Sequence, residues 1–231
     1  MAPTINGRAH TFAEHGLYDG LFLMRDEETG TFWDHMTGEA VYGPLVGSKL
    51  ATANLLHSRV GQVLEAFPDA QVALSDRTWR RGDEGMELDG LLSRADGQLN
   101  ETFSRTVAEE DDRLPTMDLG MGIWNDENAR YYAYERVVAE DNAIVDTFQG
   151  RRILIFLDPS AYVLNAFYVD ADAAEWDDKK LRLSDGQYVE DGVLHDASGE
   201  RALAERPLQV FTRWYGFALT FPDAEIYGSE R

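Results

Sequence analysis

Residues 17 to 50 never run far without a residue that turns the chain. An apolar stretch at 19–25 gives way to Asp26-Glu27-Glu28-Thr29-Gly30, and an aromatic one at 31–35 gives way to Thr37-Gly38. The next residues break at Gly43-Pro44 and again at Gly47. Glycine adopts positive φ without strain and proline removes a backbone donor, so punctuation this dense folds as short strands joined by tight loops. Strands are expected at 8–12 (RAHTF) and 19–25 (DGLFLMR), with EHGLYDG as the turn between them, followed by an aromatic strand at 31–35. The first fifty residues are all-β in character.

The period changes at His57. Val60, Val63, Leu64 and Phe67 fall at i, i+3, i+4 and i+7, one face of a helix that Pro68-Asp69 ends. Residues 71–74 then read as a short strand. Residues 75–115 are polar, with many turn signals and the run Glu109-Glu110-Asp111-Asp112, and read as an acidic connection holding a short helix at 100–109. Strands resume at 119–124 and 131–134. The β-branched and aromatic segments 144–148, 152–157 and 162–169 are the expected core strands, with a turn at Asp158-Pro159-Ser160. Short strands follow at 181–183 and 193–195. Residues 207–221 read as a helix with Pro207 in its first turn and Val210, Trp214, Phe217 and Phe221 on one face. A strand at 225–227 closes the chain.

Ordered matches link the two halves. Phe67-Pro68-Asp69-Ala70-Gln71-Val72 is echoed by Phe221-Pro222-Asp223-Ala224-Glu225-Ile226. The stretch from Met24-Arg25-Asp26 to Gly30 parallels Leu194-His195-Asp196 to Gly199, and Pro44-Leu45 parallels Pro207-Leu208. Such a series predicts an internal duplication. The expected fold is mainly β with a few helices (α+β). It comprises two related half-domains, 1–74 and 116–231, joined by 75–115, each a small sheet or partial barrel with a packed helix. The second copy opens with strands at 144–157 and 161–169 that the first lacks. A sheet without them would expose an unpaired edge, so a true start upstream of Met1 is expected.

Charge limits the partners. Asp and Glu number 42 against 21 Lys and Arg, a net charge of −21, and only Lys49, Lys179 and Lys180 are lysines. A phosphate backbone would be repelled, which argues against nucleic-acid binding. The acid is spread along a chain that is 44% hydrophobic, unlike a disordered acidic tail. An acidic, lysine-poor surface over an ordinary core is the expectation for a halophile's protein, in which salt screens self-repulsion. No apolar run approaches the roughly 20 residues needed to span a bilayer, and residues 1–12 hold no signal-peptide core, so a cytoplasmic location is expected. The chain has no cysteine, which excludes thiolate chemistry and cysteine-based metal sites within it.

Together, Gly7-Arg8, Gly16-Leu17-Tyr18-Asp19-Gly20, Asp26 to Gly30, Phe32-Trp33-Asp34-His35, Thr37-Gly38-Glu39-Ala40 and Gly43-Pro44-Leu45-Val46-Gly47 resemble the DUF3179 family of uncharacterised proteins. Asn142 to Gly150, Asp158-Pro159, Ala166-Phe167 and the closing stretch from Trp214 to Tyr227 resemble that family's second segment. The likeness spans nearly the whole chain except about 75–115. Family members commonly carry a cysteine-containing strand shortly before the Gly-Arg segment. Its absence here fits a haloarchaeal-type member truncated at its N-terminus. The resemblance implies no established activity.

The densest chemical cluster is Trp33 to Glu39. His35 with Asp34 and Glu39 supplies the residue types for acid–base work. His10, His35 and Glu39 could hold a divalent metal if paired strands brought His10 opposite His35. The competing reading packs Trp33 in a core, satisfies His35 with a local backbone group and leaves Glu39 solvated. No Walker A, dinucleotide-type GxGxxG, HExxH or GxSxG motif is present. Two functions remain open from sequence: a metal- or small-molecule-binding protein with enzymatic activity near Trp33–Glu39, or a non-catalytic binding or scaffold protein.

Overall fold

In this computed structural model, which describes residues 3–71 and 98–229, one local device recurs. Four antiparallel hairpins turn on two residues, the second a glycine and both at positive φ: Asn6-Gly7, Asp19-Gly20, Gln149-Gly150 and Asp191-Gly192. This is the type I′ pattern, whose twist matches that of the strands it joins.

The described residues form two units, one built from 3–54, 98–118 and 213–222, the other from 55–71, 119–212 and 223–229. In the first, β1 (Thr4–Ile5) pairs with β2 (Arg8–Ala9). A four-stranded meander then follows in the order β3 (Phe12–Tyr18), β4 (Leu21–Asp26), β5 (Phe32–Asp34) and β6 (Ala40–Tyr42). The segment EHGLYDG does not turn after Phe12 as its glycines suggest. A bulge between Glu14 and Leu17, with Gly16 at φ 110, absorbs the irregularity and lets β3 run to Tyr18. Turns β4–β5 and β5–β6 are two copies of D-x-x-T-G. In each, the glycine N–H donates to the aspartate carbonyl (Gly30 to Asp26 and Gly38 to Asp34, both 3.0 Å). The threonine N–H donates to the aspartate carboxylate, at 2.6 Å for Thr29 and 2.9 Å for Thr37. Trp33, fully buried, centres a core with Ile5, Ala40 and Leu50, and Phe12 meets it edge-on at 6.0 Å. The same unit holds α2 (Glu101–Ser104), capped by the Asn100 side chain, and α4 (Trp214–Thr220), whose Trp214 and Phe217 are buried.

The second unit is organised by β10 (Arg151–Asp158), the middle strand between β9 (Ala143–Phe148) and β11 (Val163–Tyr168). Side chains alternate across a strand, and both faces of β10 are covered. Ile153, Ile155 and Leu157 join Met121, Ile123, Tyr132 and Phe148 in one core. Leu154 and Phe156 join Phe167, Leu181, Val189 and Leu194 in another. The first core lies with the sheet β16 (Leu208–Arg213), β7 (Leu119–Trp124), β8 (Ala129–Ala133) and β17 (Glu225–Ile226), in which β17 runs parallel to β8. The second core lies with the meander β12 (Ala174–Asp177), β13 (Lys180–Leu183), β14 (Tyr188–Glu190) and β15 (Val193–His195). Arg130 ties β8 to its neighbours, donating to Glu225 and to Asp146 at 2.6 Å each, and Tyr132 Oη donates to the same Asp146 oxygen at 2.8 Å. With three apolar residues on one face and two on the other, β10 is buried on both sides, which is why its sequence reads as a continuous apolar run.

The protein is mainly β with small sheets and four helices among the described residues, none of the sheets closing into a barrel. Two helix expectations shift. Residues 208–213 form β16 rather than the start of a helix, because Val210, Phe211 and Thr212 suit an edge position beside β7, and the helix begins only at Trp214. Helix α1 (Val60–Ala66) forms, but its apolar face is exposed and its buried residue is Gln62. Polar contacts hold it instead: Gln62 Nε2 donates to Asp158 at 2.8 Å and Arg59 to the Ser160 carbonyl at 3.3 Å. A third helix, α3 (Tyr134–Ala139), directly follows β8 where strand was expected to Tyr134. The strand expected at 71–74 lies outside the described residues apart from Gln71, as does the first part of the 75–115 connection.

Gly120 and Gly61 give opposite tests of this packing. A Cβ on Gly120 would stand 2.5 Å from the Tyr132 carbonyl and 2.6 Å from the Tyr131 ring, while one on Gly61 meets nothing within 4 Å. Gly120→Ala should cost about 3 kcal/mol in chemical denaturation, and Gly61→Ala should gain about 1 kcal/mol from helix propensity. Equal effects of the two substitutions would contradict the packing of β7 on β8.

Candidate functional site

Three potential ligands meet at one corner of the β1–β6 unit. His10 follows β2, where its N–H donates to the Pro3 carbonyl at 2.7 Å; Asp26 ends β4; Glu28 lies in the turn after it. The strand end and the hairpin are what bring them together: Phe12 pairs with Asp26, and the Glu27 N–H donates to the Thr11 carbonyl at 2.9 Å. His10 Nδ1 lies 3.4 Å from Asp26 Oδ1 and 3.7 Å from Glu28 Oε2. One ligand atom from each of the three falls within 4.8 Å of the others. His10 and Asp26 are buried and Glu28 is exposed, so the cluster opens to solvent on the Glu28 side.

Asp26 is the most engaged of the three. Its Oδ1 accepts from the Thr29 N–H at 2.6 Å and its Oδ2 from Trp33 Nε1 at 2.9 Å. The Thr29 hydroxyl lies 2.8 Å from both oxygens and 2.6 Å from the Thr31 hydroxyl. Burial alone would raise the carboxyl's pKa, but the hydrogen bonds from Trp33, Thr29 and His10 outweigh it and hold the group at about 2. Glu28 is also held below its ordinary value, chiefly by the Thr11 N–H, which reaches its two oxygens at 3.0 and 2.9 Å. Both carboxylates are therefore ionised at neutral pH.

The other sequence candidates lie elsewhere. Trp33 is core. Asp34 accepts from the Met36 and Thr37 N–H groups at 2.6 and 2.9 Å, shaping its own turn. His35 Nδ1 is 2.9 Å from the Phe22 carbonyl, to which it donates when protonated there. Glu39 is exposed and ion-paired with Lys49 at 3.5 Å. A further histidine, His15, packs on Phe32, ring centres 4.9 Å apart. The structure thus joins His10 to Asp26 and Glu28, not to His35 and Glu39. Asp26 and Glu28 carried a legible signal: D-x-x-T-G recurs at an eight-residue spacing, and a buried tryptophan N–H needs an acceptor.

Fold and site together define a β-rich protein of short meanders with a histidine–carboxylate cluster at a turn. The chain belongs to the DUF3179 family, described as a protein of unknown function, whose profile matches residues 2–224. No curated protein and no solved structure matches it. No helix among the described residues is long and apolar enough to cross a membrane.

Asp26 gives the unit a specific pH dependence. Its folded pKa lies below the unfolded value of 3.8, so the stability it contributes is present above about pH 4 and disappears as pH falls towards 2. About 2 kcal/mol should be lost across that window, as measured by urea unfolding at stepped pH. Asp26→Asn should flatten that part of the profile, and an unchanged slope would show that Asp26 is not the group responsible.

Proposed function

We propose that the protein is a binding protein that holds a divalent cation through His10, Asp26 and Glu28. The observation that carries this reading is the spacing of 3.4 and 3.7 Å from one imidazole nitrogen to two ionised carboxylates. A tetrahedral ion with bonds of roughly 2.0–2.2 Å separates its ligands by about 3.3–3.6 Å, so small adjustments accommodate one. Trp33 and Thr29 would orient Asp26 from behind, as outer partners of metal-bound carboxylates do. Three protein ligands would leave a position for water or a small molecule, and the mixed nitrogen and oxygen donors suit zinc or manganese better than calcium.

A second reading has its own support. Asp196 heads a turn one residue shorter than that of Asp26, with its carboxylate accepting from the Ser198 N–H and hydroxyl and from the Glu200 N–H, and its carbonyl from the Gly199 N–H. Helices α1 and α4 each span seven residues, follow an extended arginine and end on a phenylalanine of similar φ and ψ. These likenesses support the internal duplication. They also support a scaffold protein in which the aspartates serve only the turns.

Calorimetric titration with Zn²⁺ and with Mn²⁺ separates the readings. The metal reading expects one equivalent bound by the wild type, at least about tenfold weaker binding for His10→Ala, and unchanged binding for His35→Ala and Glu39→Gln. Absence of stoichiometric binding by the wild type, with His10→Ala lowering only stability, would leave the scaffold reading.

A further inference from the structure

A groove of ≈ 510 Å³ lies in the second unit, between three loops. The segment after α3 contributes Asp141 and Asn142, the β10–β11 loop contributes Pro159 and Tyr162, and β12 with its following turn contributes Glu175, Trp176 and Asp178. Two aromatic rings, three carboxylates and no basic side chain line it. The three carboxylates form no ion pair with a described residue. Of the cations nearby in sequence, Arg182 pairs with Asp177 at 2.7 Å and Lys180 with Glu190 at 3.1 Å.

Tyr162 is the informative wall. The residue is 72% exposed, so core packing does not account for its position, yet its backbone sits at φ 56. A bulky residue stays in the left-handed region only where its surroundings fix it. Here they do. The Tyr162 N–H donates to the Asp158 carbonyl at 2.8 Å, and the Asp158 carboxylate accepts from the Ser160 and Ala161 N–H groups at 2.8 and 3.2 Å. Gln62 of α1 donates to that same carboxylate and anchors the loop from behind. Trp176 also lines the groove and is half-buried, its Nε1 donating to the Asn142 carbonyl 3.5 Å away. The loop therefore holds an exposed aromatic side chain in place on a groove that a second one also lines.

We propose that this groove binds a small organic cation, an ammonium or guanidinium compound, between Tyr162 and Trp176, with Asp141, Glu175 and Asp178 countering its charge. Aromatic faces attract such cations through their quadrupoles, and carboxylates around the rim add attraction and exclude anions. A neutral ligand would leave the three lining carboxylates without compensation. The site shares no residue with the His10 cluster and does not depend on it.

The probes are choline, agmatine, the neutral choline isostere 3,3-dimethyl-1-butanol, and maltose. Binding is read by calorimetry and by tryptophan fluorescence, with Trp176→Phe subtracted to isolate the groove signal. Choline or agmatine should bind saturably and the isostere at least about tenfold more weakly. Tyr162→Ala should weaken binding about tenfold. The double substitution Glu175→Gln, Asp178→Asn should do the same; asparagine tolerates the left-handed backbone of residue 178, so that variant keeps the fold. Circular dichroism checks each variant. Equal binding of the isostere, preference for maltose, or cation binding unaffected by the double substitution would overturn the proposal, as would no saturable binding by either cation.

Discussion

Chain reversal in the left-handed region is the constraint from which the rest of this fold follows. The strands are short, most of two to six residues, and such strands do not choose a register by hydrophobic pattern alone. Turns choose it instead. Asn6-Gly7, Asp19-Gly20, Gln149-Gly150 and Asp191-Gly192 each fix their flanking pair within two residues, so the alternation of side chains is set before any core forms. In β10 that alternation sends Ile153 and Ile155 to one core and Leu154 and Phe156 to another. A slip by one residue would exchange the two sets.

Buried carboxylates do the corresponding work in loops too long for a two-residue turn. Asp26 gathers the Thr29 N–H and the Trp33 indole, and Asp158 gathers two loop N–H groups and Gln62. Each loop is thereby closed on an anion whose lone pairs are nearly all used, which makes burial of the charge tolerable. The consequences differ. Around Asp26, the fixed loop places Glu28 and His10 beside an ionised oxygen. Around Asp158, it presents Tyr162 outward. The same structural device sets a histidine–carboxylate cluster in one unit and an exposed tyrosine in the other.

The likeness to DUF3179, the dominance of strands, the β10 region as core and the reversal at Asp26–Gly30 were all legible in the residues, because turn chemistry and strand propensity act over a few positions. The candidate site was only half legible. His10 was visible as a potential ligand, but its partners were sought at His35 and Glu39, in the densest cluster of suitable residue types. Period-two alternation and the second D-x-x-T-G turn put Trp33 inside, Asp34 into its own loop and His35 outward. Helix α1 shows the same limit. Its apolar stripe was legible, but the contact that buries Gln62 reaches Asp158, far along the chain.

By itself, then, the sequence determined most of the turns, most of the strands and how acidic the chain is. Backbone torsion preferences, β-branching and charge are properties of single residues and their immediate neighbours. Only the tertiary structure decided that β4 would end with Asp26 against His10, and that three separate loops would bring Tyr162 and Trp176 to line one groove. Those meetings depend on strand order and on which buried polar groups find partners, and both are settled by the whole fold at once.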